Sequence, residues 1–498
     1  MNARGRMSRG ATAVALGVGL ALAAIPVAFA APAAAVAATA EGSTPLLMAA
    51  HDGDAARVAE LLQHGANVNA ANRFGATPMS EAAMRGDTEV LRLLLKAGAD
   101  PDSKNVEGQT ALMEVARTGN VEAAQLLLQR GAKLDARELW GGQTALIWAA
   151  AQSQPEMVRF LVSKGAAVNA RAVVRDWQRR VTAEGRPKNM NRGGFTPLLY
   201  AAREGCVDCV KELIRGKADI NLADPDGMTP LNLTLMNGHW DVARVLIDAN
   251  ADANQWDIWG RSPLYNAADL NTLPAGAHVE LPGLDKATGL EIVKLLLAKG
   301  ANPNLQLKLR PPYRQGVQDR GADPALITGA TPLMRAAVAA DLPVMRALIA
   351  AGALIDLPNE EGVTPFMAAV SAAGTRGKSK TEDQAVQALA LLHEAGANVN
   401  ATSRRNMTAA HSAAFRGWNK VLTQLAGFGA NLDAEEADKL TPLDYAMGRS
   451  RVGFLQTKPP VRTDTAKLLH DLGAKVEHAN LPPWPGVPTP TLTANVPE

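Results

Sequence analysis

The chain carries two cysteines in 498 residues, and they stand three apart in Cys206-Val207-Asp208-Cys209. That spacing suits redox or metal chemistry. At the start of a helix the two Cα atoms would lie about 5–6 Å apart, within disulfide reach, and the helix N-terminus would lower the Cys206 pKa. The register argues for a plainer role, because Cys209 occupies a position held elsewhere by Val90 or Val242. A small buried side chain is therefore the first expectation, a structural disulfide the second and a redox pair the third. Two cysteines cannot form a disulfide framework. The eight histidines fall in no metal-ligand spacing, and no G-x-S-x-G, P-loop or G-x-G-x-x-G occurs. Acidic residues recur at turn positions along the chain. No catalytic residue, metal ligand or cofactor is expected.

The elements that hold these residues repeat. Phe195 to Asn221 reads FTPLLYAAREGCVDCVKELIRGKADIN. Thr196 is a good N-cap and Pro197 fits the first helical position. Leu198, Ala201 and Ala202 give one apolar face. Gly205 ends it, and a second helix follows with Cys209, Val210, Leu213 and Ile214 at helical spacing. Neither helix is long enough to stand alone in water. The opening Thr or Ser recurs at 44, 77, 110, 144, 196, 229, 262, 331, 364, 408 and 441, mostly 33 residues apart. A Gly falls 21 residues after it at Gly65, Gly98, Gly131, Gly352 and Gly429. A 33-residue helix–turn–helix with a T-P-L opening resembles the ankyrin repeat. The resemblance covers about 43 to 476 and implies an all-α solenoid of about eleven repeats with one continuous core. The family's T-P-L-H histidine is present only as His411; Leu47, Ser80, Met113, Ile147 and Leu199 stand there in other repeats. This departure questions local rigidity, not the fold.

Outside the repeats, residues 1–30 read as a secretory signal peptide. Arg4, Arg6 and Arg9 precede an apolar run from Ala11 to Ala24, and Ala28-Phe29-Ala30 is an A-x-A cleavage site. Pro26 and the small residues after it weigh against an uncleaved anchor, and no later stretch is apolar enough to span a bilayer. Residues 31–42 form an Ala-rich linker. Residues 477–498 hold six prolines and are expected to be an extended or disordered tail. The mature chain is expected in the periplasm or outside the cell.

Five insertions interrupt the period. Two, about 171–191 and 305–325, lengthen turns between repeats. Three, about 270–289, 372–384 and 448–462, lengthen turns inside them. Residues 171–192 hold seven Lys or Arg against Asp176 and Glu184. Most of the added loops are basic, so the repeats themselves are net acidic although the whole chain carries only +2.

The family resemblance implies contact through turn tips just before each Thr and through helix positions seven and eight after it. Carried onto this chain, the tips include Phe74, Trp140, Phe195, Trp259, Arg261, Arg404 and Arg405, and the helix positions include Arg85, Arg203, Phe415 and Arg416. Exposed aromatic and arginine side chains are the material of interface hot spots. The expectation is a monomeric, exported, non-enzymatic scaffold that binds a folded protein, with no nucleic acid and no cofactor. An envelope enzyme or enzyme subunit with a site built by the insertions, or a secreted host-directed effector, are the alternatives, since folds do not fix functions.

Overall fold

The computed structural model describes residues 41–176, 180–183, 186–189, 192–271, 285–309, 325–371, 380–449, 460–476 and 478. The expected signal peptide, nearly all of the linker, the centres of the insertions and the proline-rich tail beyond His478 lie outside these residues.

Among the described residues the chain forms eleven successive helix pairs. The first four are α1 (Pro45–Asp52) with α2 (Ala55–Gln63), α3 (Pro78–Arg85) with α4 (Thr88–Lys96), α5 (Ala111–Thr118) with α6 (Val121–Gln129), and α7 (Ala145–Ala151) with α8 (Pro155–Ser163). Two strands follow, β1 (Arg180–Ala183) and β2 (Arg186–Asn189). The middle pairs are α9 (Pro197–Glu204) with α10 (Val207–Arg215), α11 (Pro230–Asn237) with α12 (Trp240–Asp248), and α13 (Pro263–Asn271) with α14 (Gly289–Ala298). The last are α15 (Pro332–Ala339) with α16 (Leu342–Ala350), α17 (Pro365–Ala368) with α18 (Glu382–Glu394), α19 (Ala409–Arg416) with α20 (Asn419–Gly427), and α21 (Pro442–Ala446) with α22 (Thr463–Asp471).

The local causes repeat with the sequence. Thr196 Oγ1 accepts the Leu199 N–H at 3.2 Å, and Pro197 needs no partner for a nitrogen that carries no proton. The turn within the repeat needs a left-handed residue, which Gly205 supplies at φ 74°. Ala340 takes the same conformation at φ 54° and bears the steric penalty that glycine avoids.

Every odd-numbered helix packs on the next odd-numbered helix, and every even-numbered helix on the next even-numbered one, without a gap at any insertion. The two layers enclose one buried core that runs from Leu46 to Ala474. This is the all-α solenoid that the 33-residue period predicts. A second, small cluster of Tyr265, Leu307, Ala325, Ala330, Met334, Val338 and Ala368 lies beside it in repeats seven to nine.

Two features differ from the sequence reading. The 171–191 insertion carries a hairpin: β1 pairs antiparallel with β2, Arg180 opposite Asn189. The β-branched Val181 and Thr182 favour that extended backbone. The insertions at 372–384 and 448–462 also shorten the helix before them, leaving four residues in α17 and five in α21. At α17 the buried Lys380 ammonium donates to the Ala368 carbonyl, where a further helical turn would have done so, and to the Val338 carbonyl of α15, each at 3.0 Å.

Candidate functional site

The turns between repeats are built by one side chain each. Asn72 Oδ1 accepts the N–H groups of Phe74 and Ala76 at 2.9 and 3.0 Å. Asn105 does the same for Glu107 and Gln109. Glu138 accepts from Trp140, Gly141 and Gln143. The carboxylate or amide takes up the tip's donors, so the residue between them points outward.

Neighbouring tips are tied by backbone bonds, Leu139 N–H to Glu107 O at 2.8 Å and Val173 N–H to Gly141 O at 2.6 Å. Close approach requires glycine. A Cβ on Gly108 would stand 2.7 Å from Leu139 Cγ, and one on Gly142 would stand 2.7 Å from Val173 Cγ2. Each apolar side chain thereby lies across the glycine of the previous tip. Phe74, Val106, Leu139, Trp140, Val173 and Val174 form an exposed apolar run across the first four tips, with Leu139 at 71% and Trp140 at 66% exposure. Cations border it. The Arg73 guanidinium sits 4.6 Å from the Phe74 ring centre and that of Arg175 5.9 Å from Trp140. Met48 and Met84 add exposed apolar surface on α1 and α3.

The sequence-derived contact residues divide. Phe74, Arg85, Trp140, Arg203, Arg404 and Arg405 are exposed. Phe195 and Arg261 are not available for contact, at 6% and 2% exposure. Phe195 is turned in against the edge of Tyr200, ring centres 5.5 Å apart. Arg261 is drawn in by Asp257, 2.6 Å away, which is itself buried, and Trp259 lies over its guanidinium at 4.6 Å. Trp259 is half-buried for that reason, while Trp256 is exposed. Phe415 and Arg416 are half-buried and join repeats: Phe415 meets Tyr445, and Arg416 donates to Ser371 O at 2.9 Å and stacks on Trp418. Arg405 is paired with Asp438 at 2.8 Å.

The structure therefore does not bring all these residues to one place. It gathers Phe74 and Trp140 with Val106, Leu139, Val173 and Val174, which sequence reasoning missed by looking only for aromatic and arginine tips. The signal was present: an apolar residue stands beside the tip glycine in Phe74-Gly75 and two before it in Val106-Glu107-Gly108.

Among the groups whose titration is shifted are the half-buried Asp224 and the buried His411. The Asp224 carboxyl, at the tip before repeat six, is pushed up to about 6 by burial and by the nearby Asp226 and Asp257. His411 is pushed down to about 4 by burial. Cys206 caps α10 and is joined to Cys209, Cα atoms 5.3 Å apart. Among the described residues no group of three or more His, Cys, Asp and Glu could hold a metal ion, and no helix is long and apolar enough to cross a membrane.

A family model described as ankyrin repeats (3 copies) matches residues 27–105, 81–172 and 198–279. No curated protein matches the chain. Among solved structures, the ankyrin repeat domain of Bcl-3, described as a unique member of the IkappaB protein family, is 27% identical. That match covers 45% of this chain and 93% of the other, with a TM-score of 0.37.

Proposed function

We propose that this chain, which is an ankyrin-repeat protein, is an exported scaffold that grips a folded protein partner with the turn tips of its first four repeats. Ankyrin repeats in general serve protein–protein binding. The observation that carries the reading is the exposed apolar run from Phe74 to Val174, bordered by Arg73 and Arg175. Large apolar and aromatic side chains set side by side and rimmed by cations are how interface cores are built. The rigid tip geometry lowers the ordering entropy that binding must overcome. The basic 171–191 insertion adjoins the same tips and favours a partner with an acidic surface.

Export is part of the proposal. It is supported by the basic, apolar and A-x-A segments of residues 1–30. Mass analysis of the natural product should give a mature chain beginning at Ala31, and an intact Met1 terminus would sink this part.

The binding test is capture by the mature chain from an envelope extract, with three forms compared: wild type, Leu139→Asp with Trp140→Ala, and Arg404→Ala with Arg405→Ala. The expected result is a protein retained by the first and third and lost from the second. Retention by all three would remove the tip run from the interface.

A further inference from the structure

We propose that Cys206 and Cys209 form an exchange-active disulfide, with Cys206 the sulfur that a dithiol attacks and Cys209 the sulfur that departs. The two sulfurs differ in what they face. Cys209 is fully buried in the slot that Val90, Val242 and Val344 fill in other repeats. Cys206 is half-exposed and is the N-cap of α10. A nucleophile from solvent therefore meets Cys206 first.

The N-cap position also prepares that sulfur for the reduced state. Cys206 Sγ accepts the Cys209 N–H at 3.2 Å, the bond that carboxylate or amide oxygens of Asp54, Asp87, Asn120 and Asp341 accept in their repeats. Those caps are anionic or strongly polar. A thiolate at this position is stabilised by the same N–H and by the helix dipole, which lowers the thiol pKa. The His239 imidazole lies over Gly205, the residue before Cys206, with Nδ1 2.6 Å from where a Gly205 Cβ would stand, while Nε2 is 2.9 Å from Arg203 O. Since Nε2 must donate to that carbonyl, Nδ1 is left as the accepting nitrogen of the neutral ring, over the residue that precedes Cys206. Nor does the repeat need the bond for its fold. The ring spans only four residues, so it restricts the unfolded chain little, and seven other repeats close the same short turn without one.

The exchange balances as follows. A thiolate of the incoming dithiol bonds to Cys206 Sγ, and the Cys206–Cys209 bond breaks with its electron pair on Cys209 Sγ, which takes a proton. The second thiolate of the dithiol then attacks its own partner sulfur in the mixed disulfide and releases Cys206 as thiolate. The dithiol loses two electrons and the chain gains them. The partner class is a small dithiol or a protein carrying a cysteine pair.

The test uses the full mature chain at graded ratios of reduced to oxidised dithiothreitol, quenched by alkylation and read by mass, with circular dichroism alongside. The expected result is reversible reduction with the helical signal unchanged. Two single-thiol forms separate the sulfurs. With glutathione disulfide, Cys209→Val, which restores the side chain of other repeats, should form a mixed disulfide at least about tenfold faster than Cys206→Ser. Reduction only after unfolding, equal rates in the two forms, or a faster Cys206→Ser form would each overturn the proposal.

Discussion

Asp241 and Asp285 close each other's chain. Asp285 accepts the N–H groups of Trp240 and Asp241, both at 3.2 Å, and so caps α12, whose own N-cap His239 makes no side-chain cap bond. Asp241 in turn accepts the N–H groups of Lys286 and Ala287 at 3.0 and 2.9 Å. The segment that re-enters the solenoid after the 270–289 insertion is thereby pinned to the preceding repeat. Burial acts to raise the Asp241 carboxyl, but these N–H groups together with the Arg244 and Lys286 charges outweigh it and hold it below the usual carboxylate range.

Replacing Asp241 by Ala should cost about 1–2 kcal/mol, the range for a lost cap that leaves backbone donors open. Because the folded pKa lies below the unfolded one, the contribution is present at neutral pH and lost as pH falls through the folded value. Hydrogen exchange should show the loss in α12 and in residues 285–288, with α1 to α4 unchanged. Uniform loss along the chain would contradict this local role.

Asp224 should act in the opposite direction with pH. Its folded pKa of about 6 lies above the ordinary carboxylate value, so the folded state binds the proton more tightly. Stability contributed by protonated Asp224 is present below about pH 4 and is lost as pH rises to about 6. Asn occupies the same tip position at Asn72, Asn105 and Asn359, where it accepts the same pair of N–H groups. Asp224→Asn should therefore keep the turn, abolish this pH dependence and stabilise the chain above about pH 7 by on the order of 1 kcal/mol. An Asn variant whose thermal midpoint shifts with pH as the wild type does would refute the assignment.

His411 gives a second pH slope. Its Nδ1 accepts from the Thr408 N–H at 3.1 Å and lies 2.9 Å from Thr408 Oγ1, while Nε2 is 3.1 Å from Leu440 O. An accepting Nδ1 and a donating Nε2 define the neutral ring. Folded His411 titrates near 4, below its unfolded value of about 6.5, so stability is full above about 6.5 and is lost as pH falls toward 4. His411→Leu, the residue type at Leu47 and Leu199, keeps the apolar contact but opens the buried Thr408 N–H and leaves the Leu440 carbonyl with the Glu436 N–H alone. It should cost about 1–3 kcal/mol at neutral pH and much less near pH 4. Equal cost at both pH values would show that the neutral ring is not what the fold selects.

The solenoid was legible because one period of 33 residues fixes caps, left-handed turns and core positions together. Every opening Thr or Ser named from the sequence begins a helix, including Ser262, whose Oγ accepts the Tyr265 N–H at 3.1 Å. The contact surface was less legible, for a physical reason. Exposure at a tip depends on how the turn folds its own sequence neighbours back over it, which the 33-residue spacing does not give. Arg261 looks like an exposed tip cation until Asp257 is placed beneath it, and Phe195 until Tyr200 is placed at its edge. The insertions lack the period altogether, so neither the β1–β2 hairpin nor the inward course of Lys380 could be read from spacing.

Lys380 supplies the last prediction. Four residues of α17 leave carbonyls that a full-length helix would satisfy, and the 372–384 insertion returns to the solenoid at the lysine that covers one of them, Ala368, together with the Val338 carbonyl of α15. A cation at a helix C-terminus also meets the negative end of the dipole. Lys380→Met keeps most of the buried stem and removes the donors. It should cost about 1–3 kcal/mol through the Val338 carbonyl, which loses this donor, and the Ala368 carbonyl, which keeps only the Ser371 N–H, against which stands the relief of an ammonium no longer held out of water. Two carbonyl bonds to a charged donor outweigh that relief, so the net sign is destabilising. Solenoid stability is carried by neighbour contacts, so hydrogen exchange should loosen α15, α17 and α18 together and leave α1 to α6 as they were. A Met variant at least as protected as the wild type in α17 would mean that the lysine tolerates its burial and does not support the shortened helix.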